Sequence, residues 1–65
     1  MKLYIDLNEI CFRYNVTQVE LSERTGIKQP NLSLIKKRKS ISLRSLSKIA
    51  KAVGETDISR LIKSE

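Results

Sequence analysis

The 65-residue sequence has no histidine and no tryptophan, and only one cysteine, one proline, two glycines, one phenylalanine and two tyrosines. Each shortage excludes something. Without histidine, and with Cys11 alone, no zinc or iron ligand set of the usual kind can be assembled, so neither a metal nor a cofactor is expected. A single cysteine also bars an internal disulfide. So few aromatic rings, none in a stacking pattern, argue against a platform for single-stranded RNA. The chain lacks an acid–base pair at a recognisable site, a glycine-rich phosphate loop and an activated nucleophile, so an enzyme is not expected. No apolar run approaches the roughly 20 residues of a membrane span, and the N-terminus has no signal-peptide core. The expected location is the cytoplasm, with no membrane partner.

What the sequence has in excess is positive charge. Thirteen Lys and Arg stand against seven Asp and Glu, a net charge of +6. Lys36, Lys37, Arg38, Lys39, Arg44, Lys48 and Lys51 follow one another with no acid between them. A block of this kind suits a polyanionic partner, the plainer alternative being a solvated, solubilising face. At this length a single domain, residues 1–65, is expected, with a core small enough to limit stability.

Apolar spacing and caps predict an all-α bundle of five short helices, preceded by an arm. Met1 to Ile5 reads as a short extended arm or strand, or else as an early extension of the first helix. Asp6 with Glu9 forms a capping pair, and Leu7, Ile10, Cys11 and Tyr14 then fall on one stripe, with Asn15 at a left-handed end. Cys11 reads as a small buried hydrophobe. Thr17 with Glu20 is a capping box for a second helix, Thr17 to Thr25, and Gly26 supplies a residue able to take positive φ. A third helix runs from Gln29 to Lys37, with Pro30 in its first turn where a missing N–H costs nothing. After a basic connection, Lys36 to Ile41, Ser42 caps a fourth helix whose buried stripe is Leu43, Leu46, Ile49, Ala50 and Val53, ending at Gly54. Thr56 or Asp57 caps a short fifth helix carrying Ile58, Leu61 and Ile62. The expected core is Leu7, Ile10, Leu21, Ile27, Leu32, Ile35, Leu46, Ile49, Val53, Ile58 and Leu61, with Leu61 or Ile62 alternatively exposed.

The second and third helices carry the informative spacing. Counting from Gln18, an apolar residue stands fourth (Leu21), a small one fifth (Ser22) and glycine ninth (Gly26); Ile27, Leu32 and Ile35 follow tenth, fifteenth and eighteenth. Two helices crossing at a wide angle need a small side chain at their approach, a turn-former between them and apolar plugs around the corner. The pattern resembles the helix-turn-helix of the Cro and phage-repressor type (the XRE, lambda repressor-like family). The resemblance extends from about Leu7 to Ile62, most strongly in TQVELSERTGI and SLRSLSKIAKAVGETDISRLI.

That resemblance implies double-stranded DNA binding, with the third helix entering the major groove by its N-terminal end. Carried over by position, it puts Lys28, Gln29, Pro30, Ser33 and Leu34 nearest the bases. Gln29 is the strongest specific reader, because its amide can pair with adenine N7 and N6 together. Leu34 offers only apolar contact. Gln18, Asn31, Lys36, Lys37, Arg38 and Lys39 are implied at the DNA backbone, Gln18 as a phosphate clamp. The family's ion pair between an Arg in the first helix and a Glu late in the third is replaced by Cys11 and Lys36, so no unpaired charge is left. Arg38 stands where relatives usually carry glycine. The implied function is a transcriptional regulator, most simply a repressor acting by operator occupancy, with two copies pairing through the arm or the fifth helix. The alternative is a protein-interaction module, such as an antitoxin or antirepressor component, whose partner would engage an exposed Leu61 and Ile62.

Overall fold

The computed structural model describes residues 2–64. The chain runs through strand β1 (Leu3–Ile5), helices α1 (Leu7–Arg13), α2 (Gln18–Thr25), α3 (Gln29–Arg38) and α4 (Leu43–Val53), a 3-10 turn (Ile58–Leu61) and strand β2 (Ile62–Ser64). Local chemistry accounts for most of the boundaries. The Asp6, Thr17 and Ser42 side chains accept from Glu9, Glu20 and Ser45 backbone N–H groups at the starts of α1, α2 and α4. At α2 the box is complete, since Glu20 also accepts from the Thr17 N–H at 3.0 Å. Gly26 and Gly54 end α2 and α4 at φ +77° and +76°, and Asn15 takes φ +53° after α1.

The core is Ile5, Leu7, Ile10, Leu21, Leu32, Leu46, Ile49, Ala50 and Leu61, all buried. Ile27, Ile35, Val53 and Ile58, expected inside, are half-buried and pack against it. Around this core α2 lies against both α3 and α4, and α1 touches α3.

Four expectations need correction. The molecule is not all-α: β1 and β2 pair antiparallel, with Leu3 opposite Ser64, Tyr4 opposite Lys63 and Ile5 opposite Ile62. The expected arm is therefore a bound strand, and Ile5, left out of the expected core, is 2% exposed within it (Met1 lies outside the described residues). The described residues form four α-helices rather than five. The fifth element is a single 3-10 turn capped by Asp57, which brings Leu61 into the core before the chain straightens into β2. One turn suffices because residues three apart eclipse in a 3-10 helix. The third correction concerns Leu43, expected in the α4 stripe but 71% exposed; it follows directly after the N-cap, before the helix has turned onto the core.

The last correction lies at the end of α3. The helix continues through Arg38, and the left-handed residue is Lys39 at φ +58°, so Arg38 keeps helical geometry. Lys39 is tied on both sides: its N–H donates to the Ile35 carbonyl at 2.8 Å, and its own carbonyl accepts from the Ile5 N–H at 3.0 Å. Those bonds hold a non-glycine residue in a conformation that costs about 1–2 kcal/mol.

A polar clasp closes the side formed by α1 and the C-terminal segment. Glu9 pairs with Arg13 and with Lys63 at 3.2 Å, while Arg13 donates to the Arg60 carbonyl at 2.6 Å. The Tyr14 hydroxyl donates to Glu55 at 2.6 Å. That bond holds the Glu55 carboxyl below its ordinary range and the Tyr14 phenol above its own. Hydrogen bonds from Ser59 depress Asp57 likewise.

Candidate nucleic-acid interface

The turn between α2 and α3 is fixed by side chains as well as by Gly26. The Ser22 hydroxyl donates to the Ile27 carbonyl at 2.7 Å. Thr25 donates its own hydroxyl to the Leu21 carbonyl and accepts from the Ile27 N–H at 3.1 Å. Gly26 N–H closes on the Ser22 carbonyl at 2.9 Å. With these groups satisfied, α3 leaves the turn in one direction, its Leu32 fully buried beneath it. Ser22 thus does more than its small size suggests, since it also donates across the corner.

The rest of α3 faces outward. Gln29, Pro30, Asn31, Ser33, Leu34, Lys36, Lys37 and Arg38 are all exposed, as are Lys28 before the helix and Lys39 after it. Every base-facing residue implied by the family resemblance is therefore on the surface, within one and a half turns of the α3 N-terminus. Ten residues make this helix about 15 Å long, and a major groove is about 12 Å wide. No acid occurs between Glu23 and Glu55, so neither α3 nor α4 carries a carboxylate.

The Gln18 side chain reaches across to α3. Its side-chain amide donates to Ser33 Oγ at 3.1 Å and lies 3.5 Å from the Gln29 carbonyl, bracing α2 to α3. The first N–H groups of α2, on Gln18 and Val19, have no protein acceptor among the described residues, and they point out of a helix N-terminus. Burial pushes the Cys11 thiol up, and the nearby Lys36 ammonium partly offsets that.

Beside α3 lies an open groove of about 780 Å³ that the sequence reading did not anticipate. Lys28, Asn31 and Arg38 line it together with Ser40, Ser42, Ser45 and Lys48. Three cations with hydroxyl and amide donors, chemistry suited to phosphate oxygens, stand there beside the apolar Ile27, Leu34, Ile35 and Ile41. Lys48 was visible in the sequence as part of the acid-free run, but its distance from the motif gave no reason to set it beside Lys28.

A family model described as the Cro/C1-type HTH DNA-binding domain matches residues 6–63. The chain belongs to this family. The match covers α1 to α4 and most of β2, so the basic face described above is that of a Cro/C1-type DNA-binding domain. Neither the curated proteins nor the solved structures compared with it contain a match. Among the described residues no helix is long and apolar enough to cross a membrane.

Proposed function

We propose that this Cro/C1-type domain is a sequence-specific regulator of transcription that binds double-stranded DNA with α3 in the major groove and represses by occupying an operator. The observation that supports this is the exposed, carboxylate-free face of α3, set on a turn whose polar groups are internally satisfied. In this reading Gln29 reads a base edge, with Lys28, Pro30, Ser33 and Leu34 beside it. Lys36, Lys37, Arg38, Lys39 and Asn31 meet phosphates. The N–H groups at the start of α2 take a further phosphate, with the Gln18 side chain bracing α3 rather than clamping DNA. Lys48 joins the phosphate set from α4. The protein acts without catalysis, in the cytoplasm, by occupancy alone.

A lone short helix reads few base pairs, so two copies occupy a two-fold symmetric site. The protein-partner alternative loses the support it was given, because Leu61 is 2% exposed and Ile62 half-buried. Selection from a random double-stranded DNA pool at near-physiological salt tests the reading. Enrichment of a symmetric site with half-sites about one helical turn apart supports it in full. An asymmetric short site removes the pairing, and the absence of any enriched site overturns sequence-specific regulation.

A further inference from the structure

We propose that Pro30, Ser33 and Leu34 form a thymine-reading face: Pro30 and Leu34 pack on a thymine C5-methyl while the Ser33 hydroxyl donates to the adjacent O4. The inference rests on the reading of α3 as the major-groove helix and names what that helix reads. The three residues stand at i, i+3 and i+4, so they share one face of α3, and all three are exposed. Leu34 is 46% exposed, whereas Leu32 on the same helix is fully buried. Pro30 has no N–H and no polar side-chain atom, so Pro30 and Leu34 offer a base edge nothing but hydrocarbon.

Ser33 supplies the polarity. A free serine hydroxyl can donate or accept, and by itself selects no base. Here Gln18 Nε2 donates to Ser33 Oγ at 3.1 Å, which occupies a lone pair and directs the hydroxyl proton away from α2. The face is then a hydrogen-bond donor bordered by two apolar side chains. In the major groove thymine presents an O4 acceptor next to a methyl group, whereas cytosine presents an amino donor and no methyl. The purines carry acceptors but no methyl. Thymine alone matches both parts. Gln18 is accordingly a positioning residue, acting on base choice through Ser33.

The test uses the DNA site enriched by selection, with each thymine replaced in turn by uracil, which keeps O4 and base pairing and removes only the methyl. Wild-type protein should bind the uracil duplex about fourfold more weakly at one thymine per half-site, the loss expected for one buried methyl. Leu34→Ala, which leaves the buried core untouched, should narrow that ratio between the thymine and uracil duplexes, Pro30 alone still meeting the methyl. Gln29→Ala should bind both more weakly while keeping the fourfold ratio. Equal wild-type affinity at every thymine, with the selected site still preferred over random DNA, overturns this inference and leaves sequence-specific binding standing. An undiminished fourfold ratio in Leu34→Ala overturns the assignment to that residue. Should no site be selected at all, both readings fall together. The wild-type comparison needs no variant, so it holds even if Leu34→Ala melts early.

Discussion

Alanine at Gly26 is expected to destabilise the protein by about 1 kcal/mol, and alanine at Gly54 by the same amount. Both glycines sit in the left-handed region, at φ +77° and +76°, and both have open space where a Cβ would be placed, with no atom within 4 Å. Steric crowding therefore contributes nothing at either position. What remains is the backbone cost of holding an alanine in that region, about 1–2 kcal/mol, partly offset by the smaller conformational entropy of unfolded alanine, about 0.4–1 kcal/mol. For a chain of this size 1 kcal/mol lowers the melting temperature by about 4–8 °C. Total stability of about 3–10 kcal/mol leaves both variants folded. Thermal melting followed by helical circular dichroism measures the shift. Gly26→Val adds the strain of a β-branched residue at positive φ and should unfold the turn or misplace α3. Equal melting of Gly26→Ala and wild type would refute the placement of that turn. A much larger loss at Gly26 than at Gly54 would show that backbone conformation alone does not set the cost.

Other perturbations separate reading from anchoring. Gln29→Ala should cost about 1–3 kcal/mol on the preferred site and relax one base position, whereas Lys37→Ala should weaken all duplexes alike and flatten the salt slope by about one unit. Equal losses for Gln29→Ala on specific and random DNA would remove it as a base reader. Glu55 and Asp57 have depressed pKa values in the folded state, because Tyr14 and Ser59 donate to their charged forms. Their stabilisation is present above the usual carboxylate range, about pH 4, and is lost as the pH falls through the folded values. Melting measured between neutral pH and pH 3 should show this loss, with a shallower slope in Glu55→Gln; an identical slope would contradict it. Cys11, its thiol raised by burial, should react with alkylating reagents more slowly than a free cysteine at neutral pH, and rapid labelling of the native protein would show the thiol to be open.

The caps and glycines were legible because each acts locally. Thr17 with Glu20, Ser42, Gly26 and Gly54 stand where the sequence places them, and the signal needs only four or five neighbouring residues. The stripe of α4 was legible for the same reason except at Leu43, where helical periodicity was extended one residue too far toward the cap. The sheet was not legible. Three residues at each end of the chain pair across nearly its whole length, and nothing in LYI or IKS announces the other. Ile5 was missed as core on that account, since only the pairing turns it inward. The end of α3 falls one residue beyond the expected Lys37, and the left-handed residue after it is Lys39, where composition offers no glycine to mark it. Of the residues proposed to face DNA, the set on α3 follows from the motif, but the Gln18 brace and the groove shared by Lys28 and Lys48 depend on how α2 and α4 pack, which periodicity does not encode.

Sequence reading by α3 is tested most directly by titrating the protein against its selected duplex and a scrambled duplex of equal length. Done over a range of salt concentrations, the titration should show the selected site bound about 10³-fold or more tightly near physiological salt, with both affinities falling as salt rises. Equal affinity for the two duplexes at every salt concentration would contradict the account, leaving a basic surface that binds DNA without reading it.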